Sequence, residues 1–184
     1  MPDMPESTDL TPDPASVDPA ELKIVAHPAA VLREVAKPLP EVTESVRAVA
    51  VRMIELMHEA RGVGLAAPQV GLSWRMFVAN PTGDPGDDQV FINPVLSEAT
   101  PATEARDEGC LSLPGITAEV TRPAGITIEA TDEHGERFAM RSADFPARVW
   151  QHEFDHLEGV MIIDKMTKVD RMANRRALAD LEGR

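Results

Sequence analysis

The chain has 184 residues, enough for one domain with a sizeable core and too few for two ordinary domains. Its 18 basic and 31 acidic residues give a net charge of −13, which argues against DNA as a partner because DNA phosphates would be repelled. The single cysteine excludes an internal disulfide, and no apolar run reaches the length of a membrane span. We therefore expect a soluble cytoplasmic protein that does not enter membranes.

The first 20 residues differ in composition from the rest of the chain. They contain five Pro, four Asp and one Glu, and no Lys or Arg precedes Lys23. Such a segment cannot bury enough apolar surface to fold, and it lacks the basic start and apolar run of a secretory signal. We predict a disordered acidic, Pro-rich tail over residues 1–20 and a single domain over residues 21–184.

Helices are predicted in three places. Thr43 can cap a helix whose apolar residues recur at helical spacing from Val46 to Ala60, and Gly62 is expected to end it. A second helix should run from Asp144 to Glu158, and a third over residues 169–182.

Strands are predicted between the first two helices. Residues 74–80 have the composition of a buried strand, residues 116–121 and 126–131 alternate apolar and polar side chains, and residues 133–136 are typical of a hairpin turn. Strands grouped between helices, without regular strand–helix alternation, favour an α+β fold with mostly antiparallel strands, an N-terminal helix and a C-terminal helix.

The stretch QHEFDHLEG, residues 151–159, lies on the second predicted helix. There His152 and His156 share one face and can direct two nitrogens to one ion, with Glu153 beside them. Phe145 and Val149 continue the same apolar stripe, so the two histidines could instead be ordinary core residues with hydrogen-bond partners. Under the first interpretation this helix is the central, metal-binding element of the fold.

A catalytic zinc-type site needs three protein ligands. The metzincin pattern fails, because its third histidine position is Ile162, and downstream acids such as Glu158 and Asp164 stand in no informative context. Cys110 lies in EGCLSLPG, a compact polar turn, where a thiolate would complete a Cys/His/His set. It could also be only a buried thiol.

Three segments together resemble the signature motifs of the peptide deformylase family. They are GVGLAAPQVG (62–71), EGCLS (108–112) and QHEFDH (151–156), in the order that this family uses. IVAHPAAVLREVAKPL also resembles the N-terminal part of the family, so that the resemblance covers roughly residues 22–166.

The resemblance implies a bacterial enzyme that removes the formyl group from the N-terminal formylmethionine of newly made proteins and releases formate. It implies Cys110, His152 and His156 as ligands of one divalent ion per chain, Fe²⁺ in the native enzyme, with Zn²⁺, Ni²⁺ or Co²⁺ as substitutes. It also implies Glu153 as the acid/base, and Gln69 with the backbone N–H of Leu111 as stabilisers of the oxyanion.

These residues suit such a hydrolysis. Three ligands leave a position for water, whose pKa the ion lowers so that it can attack the formyl carbon. Glu153 can accept the proton of this water and later protonate the departing amine.

Further residues are candidates for substrate binding or support. Val63, Phe145 and Val149 could form the methionine pocket, and glycines such as Gly64 would let the backbone of a substrate approach closely. Glu108 and Asp155 could hold an imidazole N–H or the cysteine turn, or could be solvated surface acids.

The C-terminal segment is basic in an acidic chain. Residues 165–184 include Lys165, Lys168, Arg171, Arg175 and Arg176, and could contact ribosomal RNA transiently. The alternative is an ordinary solvated helix. Two other functions also remain open at this point, a general metallopeptidase with a different third ligand and a metal-binding protein without catalysis.

Overall fold

The computed structural model describes residues 12–183. Within them the helices and strands follow one another in this order: α1 (Glu44–Glu59), β1 (Gly64–Ala66), β2 (Met76–Ala79), β3 (Gln89–Ser97), β4 (Thr103–Gly109), β5 (Thr117–Pro123), β6 (Ile126–Thr131), β7 (Arg137–Ser142), α2 (Phe145–Leu157), α3 (Ile162–Lys165), α4 (Lys168–Ala173) and α5 (Arg175–Glu182). Both sheets are antiparallel. The predicted α+β class with antiparallel strands is confirmed.

Helix α1 begins as predicted and ends earlier than predicted. The hydroxyl of Thr43 accepts a hydrogen bond from the backbone N–H of Val46, so Thr43 is the N-cap. The helix ends at Glu59, and the left-handed residue that follows it is Arg61, with φ 56°. Gly62 therefore does not supply the turn that ends α1, which corrects the expectation from the sequence.

Five strands form the main sheet of the described residues, in the order β1-β2-β3-β6-β7. Its two faces are covered by different helices. Met76 and Val78 of β2 belong to a cluster with apolar residues of α1, whereas Phe77 and Ala79 belong to a cluster with residues of α2. Because both faces are covered, every residue of β2 is buried, as the composition of this segment predicted.

The α2 side of the sheet is filled by aromatic rings. Phe77 and Phe91 stack with their ring centroids 4.6 Å apart, and Trp150 of α2 lies 6.2 Å from Phe91. Rings of this size bury a large apolar area, so they fix α2 firmly against the sheet.

Strands β4 and β5 form a second, two-stranded sheet. The sequence did not predict β4, because nearly all of its side chains are polar and exposed. Strand β5 alternates as expected, and its buried residues Ala118 and Val120 pack with Leu178 and Leu181 of α5.

The single helix predicted over residues 169–182 is two helices in the structure, α4 and α5, which meet at Asn174. The Asn174 amide donates hydrogen bonds to the carbonyl oxygens of Thr117 and Asp170, at 2.8 and 2.9 Å. This interaction ties the break to the start of β5. No helix among residues 12–183 is both long and apolar enough to cross a membrane.

The predicted N-terminal tail falls partly outside the described residues, which begin at Pro12. Residues 12–20 form short 3₁₀ turns instead of the expected disorder, one of them over Pro14–Ser16. The indole N–H of Trp74 donates to the carbonyl oxygen of Pro12 at 3.2 Å, and Val17 packs against the α1 cluster. Apolar and polar contacts with the domain thus hold a segment whose own composition is too polar to fold.

Gly159, which follows α2, should be sensitive to substitution. It has φ +68°, and a β-carbon built there would lie 2.6 Å from the carbonyl oxygen of Arg33. We expect Gly159→Ala to lower the free energy of unfolding, measured in urea, by about 3 kcal/mol, because strain and a backbone clash add. Gly135, at φ +85° with open space around it, is the matched control, and Gly135→Ala should cost about 1 kcal/mol. Equal losses would contradict the proposed clash.

Candidate metal centre

A cavity of about 520 Å³ opens between β1, the end of β4 and α2. It brings together ten of the twelve residues proposed from the sequence: Val63, Gly64, Gln69, Glu108, Cys110, Leu111, Phe145, Val149, His152 and Glu153. The other two, Asp155 and His156, lie on α2 and are not among the residues that line this cavity.

The Cys110 thiol and the imidazoles of His152 and His156 converge on one point. The Cys110 Sγ lies 3.4 Å from His156 Nε2, which lies 3.3 Å from His152 Nε2. The donor atoms of these residues all lie within 4.8 Å of one another. The histidines meet because they are one helical turn apart, and Cys110 meets them because it directly follows β4.

These residues fit a divalent metal ion. Ligands that bind one ion at about 2.0–2.3 Å lie about 3.3–3.6 Å from one another, close to the separations observed here. The Nδ1 atom of His152 is 2.9 Å from Glu108 Oε2, an interaction that orients the ring with Nε2 toward Cys110 and His156. A thiolate and two imidazoles are ligands that both zinc and iron accept.

The alternative ligands considered from the sequence lie elsewhere. Glu158 forms an ion pair with Arg75, and Asp164 pairs with Arg33 while accepting the N–H of Met161. These pairings remove the support for a metallopeptidase site with a downstream acid as third ligand.

The protonation of the two histidines differs because their surroundings differ. Burial alone would lower the pKa of His152, but the hydrogen bonds with Cys110 and Glu108 raise it above its ordinary value. Burial and the nearby His152 lower the pKa of His156. His152 therefore holds a proton more readily than His156 does.

Glu108 is the centre of a buried ion network. Its carboxylate accepts hydrogen bonds from Arg122 Nε at 2.6 Å and Nη2 at 2.9 Å, and from Arg148 Nη1 at 2.6 Å. Burial would raise the pKa of Glu108, but the hydrogen bonds from Arg122 and His152 outweigh it and hold the pKa far below its usual range. Glu108 therefore stays ionised beside His152, and it is not a solvated surface acid.

Neither arginine was expected from the sequence, although both lie in patterns that identify them. Arg122 continues the buried alternation of Ala118 and Val120 along β5. Arg148 lies one helical turn before His152 on α2. A charged residue at an inward position of either pattern indicates a buried partner of opposite charge.

Asp155 supports this network from outside. Its carboxylate accepts hydrogen bonds from Arg122 Nη1 at 2.8 Å and from Lys165 Nζ at 2.8 Å. It therefore holds Arg122 and does not contact an imidazole directly.

Glu153 lies on the floor of the cavity, 4% exposed, directly beneath Gly64. A β-carbon on Gly64 would lie 2.3 Å from Glu153 Oε1, so glycine is required for this approach. Burial raises the pKa of Glu153 to about 7. Its Oε2 has no hydrogen-bond partner among the described residues. A carboxyl group in this state can both accept and donate a proton.

Gln69 joins β1 to the cysteine turn. Its Oε1 accepts the N–H of Ala66 at 2.9 Å, and its Nε2 lies 3.2 Å from Ser112 Oγ and 3.5 Å from Cys110 Sγ. An amide N–H donor is thus fixed beside the metal ligands, and Leu111 follows Cys110 on the same cavity wall.

The cavity wall is largely apolar where the methionine pocket is predicted. Val149 is 4% exposed, whereas Phe145 and Val63 are 44% and 39% exposed at the rim. Exposed apolar residues at a cavity rim offer contact to an apolar ligand.

Loss of the Glu108 charge should weaken metal binding. In Glu108→Gln the two arginines and His152 lose their common anion, and we expect affinity for Zn²⁺ to fall about 10- to 100-fold. Chelator competition with folded protein measures this change. Asp107→Asn is the control, because it removes the same charge from the adjacent, exposed position of β4. Equal weakening in both variants would contradict the role of Glu108.

Comparison with known sequences gives a consistent result. The family model described as Polypeptide deformylase matches residues 21–172. A peptide deformylase of Thermotoga neapolitana is 45% identical over 152 residues, which cover 82% of this chain and 90% of that protein. Peptide deformylase 1B, chloroplastic/mitochondrial, of Arabidopsis thaliana is 44% identical over 148 residues. The match covers 79% of this chain and 54% of the Arabidopsis protein, so the chain spans about half the length of that relative.

Solved structures agree with these matches. The crystal structure of a plant peptide deformylase superposes with a TM-score of 0.84 at 42% identity, covering 89% of this chain and 90% of that one. A peptide deformylase from Legionella pneumophila gives a TM-score of 0.82 at 36% identity, covering 87% of this chain and 94% of that one. From its sequence motifs, its fold and these matches, the chain belongs to the polypeptide deformylase family.

Proposed function

We propose that this protein removes the N-formyl group from the N-terminal formylmethionine of newly synthesised proteins and releases formate. The observation that carries the proposal is the Glu153 carboxyl group, buried at the base of the cavity beside the converging Cys110, His152 and His156. Family membership supports the same reaction. We infer that residues 21–184 act as one catalytic domain, with α2 as its central metal-binding helix, on nascent chains in the cytoplasm.

The proton transfers of this hydrolysis are assigned to Glu153. A divalent ion held by Cys110, His152 and His156 would lower the pKa of water toward neutrality and polarise the formyl carbonyl. Glu153 accepts the proton of the attacking water as the bond to the formyl carbon forms. It then delivers a proton to the methionine nitrogen as the carbon–nitrogen bond breaks, leaving formate and a free amine.

The substrate backbone can pair with the open edge of β1. This strand is at the end of the main sheet and pairs with β2 on one side only. The backbone N–H of Asn80 donates to the Val63 carbonyl, so Val63 faces β2 and, by the alternation of an antiparallel pair, Gly64 faces the cavity. The Gly64 backbone is therefore available to a peptide that adds to this edge.

Negative charge on the former carbonyl oxygen needs donors that are already oriented. Gln69 Nε2 is such a donor, because Ala66 and Ser112 fix its amide in place. The backbone N–H of Leu111 is the second, on the turn that also carries Cys110. We assign the methionine side chain to the apolar wall formed by Val63, Phe145 and Val149.

The C-terminal helices remain our candidate for transient ribosome contact through residues 165–184. Arg175 and Arg176 are exposed there. Leu178 and Leu181 of the same helix are buried, so α5 also stabilises the domain. A basic exposed face attracts RNA phosphates, which gives this contact a physical basis.

Glu153→Gln should abolish turnover while the protein still binds metal, because the amide cannot accept the proton of water. We expect formate release from a formyl-methionyl peptide, followed with anaerobically prepared ferrous protein, to fall at least about 100-fold. Metal content is measured on the same samples. Undiminished turnover in this variant would remove Glu153 as the base, and no turnover by the metal-loaded parent protein would overturn the proposed function.

Ferrous iron is our proposed native ion, and it predicts sensitivity to air. Cys110 lines the open cavity, so its thiolate is within reach of oxygen and peroxide and can be oxidised. We expect the rate of formate release by anaerobically prepared ferrous protein to fall to a small fraction of its initial value in air. The rate of formate release by zinc-loaded protein should be the same before and after exposure to air. Equal stability of the two preparations in air would argue against iron.

A further inference from the structure

Two charged side chains, Arg61 and Asp107, line the mouth of the cavity without a partner. Both are exposed and both belong to its lining. Within residues 12–183 neither side chain forms an ion pair or a hydrogen bond. The other charged residues of the lining are engaged or buried: Glu108 and Arg148 pair with each other, and Glu153 lies on the floor.

Arg61 lies where a bound peptide leaves the reacting centre. Gly64 is directly above Glu153, and Arg61 precedes Gly64 by three residues, which is at most about 10 Å along the chain. Arg61 is exposed and lines the same cavity. A peptide that begins at Glu153 and follows the edge of β1 outward brings its third residue, also about 7–10 Å from the formyl group, to Arg61.

The backbone of Arg61 has an unusual conformation. Its φ of 56° is a left-handed conformation that few residues other than glycine, asparagine and aspartate adopt readily. An arginine at this position bears a conformational cost, and its side chain forms no hydrogen bond or ion pair within the part of the chain that the structure describes.

We propose that Arg61 selects formylated peptides that carry an acidic side chain at their third residue. The inference rests on the proposed function, since it assumes that formyl-methionyl peptides enter this cavity. Opposite charges that lie close together attract, and like charges repel. The Arg61 guanidinium therefore favours Glu or Asp at the third position and disfavours Lys or Arg.

Asp107, which lines the cavity from β4, carries the opposite charge and should weaken this preference. It precedes Cys110 by three residues on β4, and Glu119 lies directly across from it on β5. The peptide is assigned to the edge of β1, so Arg61 is the nearer charge. Removal of the Asp107 charge should consequently strengthen the preference for an acidic residue.

The test compares kcat/KM for formyl-Met-Ala-Glu-Ser, formyl-Met-Ala-Ala-Ser and formyl-Met-Ala-Lys-Ser with ferrous holoenzyme. We expect the Glu peptide to exceed the Lys peptide about two- to ten-fold, mainly through KM, because the third residue is remote from the reacting bond. Arg61→Asn keeps a residue that tolerates the left-handed backbone and should bring the ratio close to one. Arg61→Asp should reverse it, and Asp107→Asn should raise it.

Arg137→Asp is the matched control. It changes the total charge as Arg61→Asp does, but Arg137 is exposed on β7, at the opposite edge of the main sheet. The control should leave the ratio unchanged. A ratio that moves equally in both variants, or an acidic preference that is as strong at the second or fourth residue, would overturn the assignment of Arg61.

Binding of the products Met-Ala-Glu-Ser and Met-Ala-Lys-Ser, measured by calorimetry, separates the inference from the proposed function. A preference for the Glu product that disappears in Arg61→Asn supports Arg61 even if no formyl peptide is hydrolysed. Rapid hydrolysis of all three peptides with equal kcat/KM overturns the role of Arg61 and leaves the proposed function intact.

Discussion

The structure depends on one buried carboxylate, Glu108, and on the cations around it. A charge at 8% exposure is costly unless it is paired and hydrogen-bonded. Here Arg122 of β5 and Arg148 of α2 donate hydrogen bonds to the carboxylate of Glu108 from two sides. The imidazole of His152 contacts one of its oxygens. Because the partners come from different elements, the same interaction that neutralises the charge also joins the small sheet to α2.

The proposed metal ligands owe their positions to this junction. Two of them are on α2, which aromatic packing fixes to the main sheet, and Cys110 is on the turn after β4, which belongs to the small sheet. Neither sheet alone could assemble the three donors. The cavity also lies between the small sheet and the main sheet with α2. Access to the cavity and the proposed metal site therefore share one interface.

Those parts of the fold and the candidate site that depend on local sequence patterns could be predicted from the sequence. The helix spacing of His152 and His156 needs no tertiary knowledge, and the third ligand followed from the unusual context of Cys110 and from the family motifs. Strand β4 could not be found in this way, because its stability comes from pairing with β5 and not from an apolar face of its own. The end of α1 and the break within the last predicted helix were also missed, since Arg61 and Asn174 take conformations or hydrogen bonds that their residue types do not announce.

The contact of Gly64 with Glu153 has a consequence for redesign of the substrate pocket. The volume that any other side chain would need at residue 64 is already occupied by the carboxyl group, so this wall cannot be altered without displacing Glu153. The side chains of Phe145 and Val63, by contrast, are partly exposed at the rim. Attempts to widen or narrow the specificity of this enzyme should therefore begin at the rim, where the shape of the cavity can change while Glu153, which we propose as the base, stays in place.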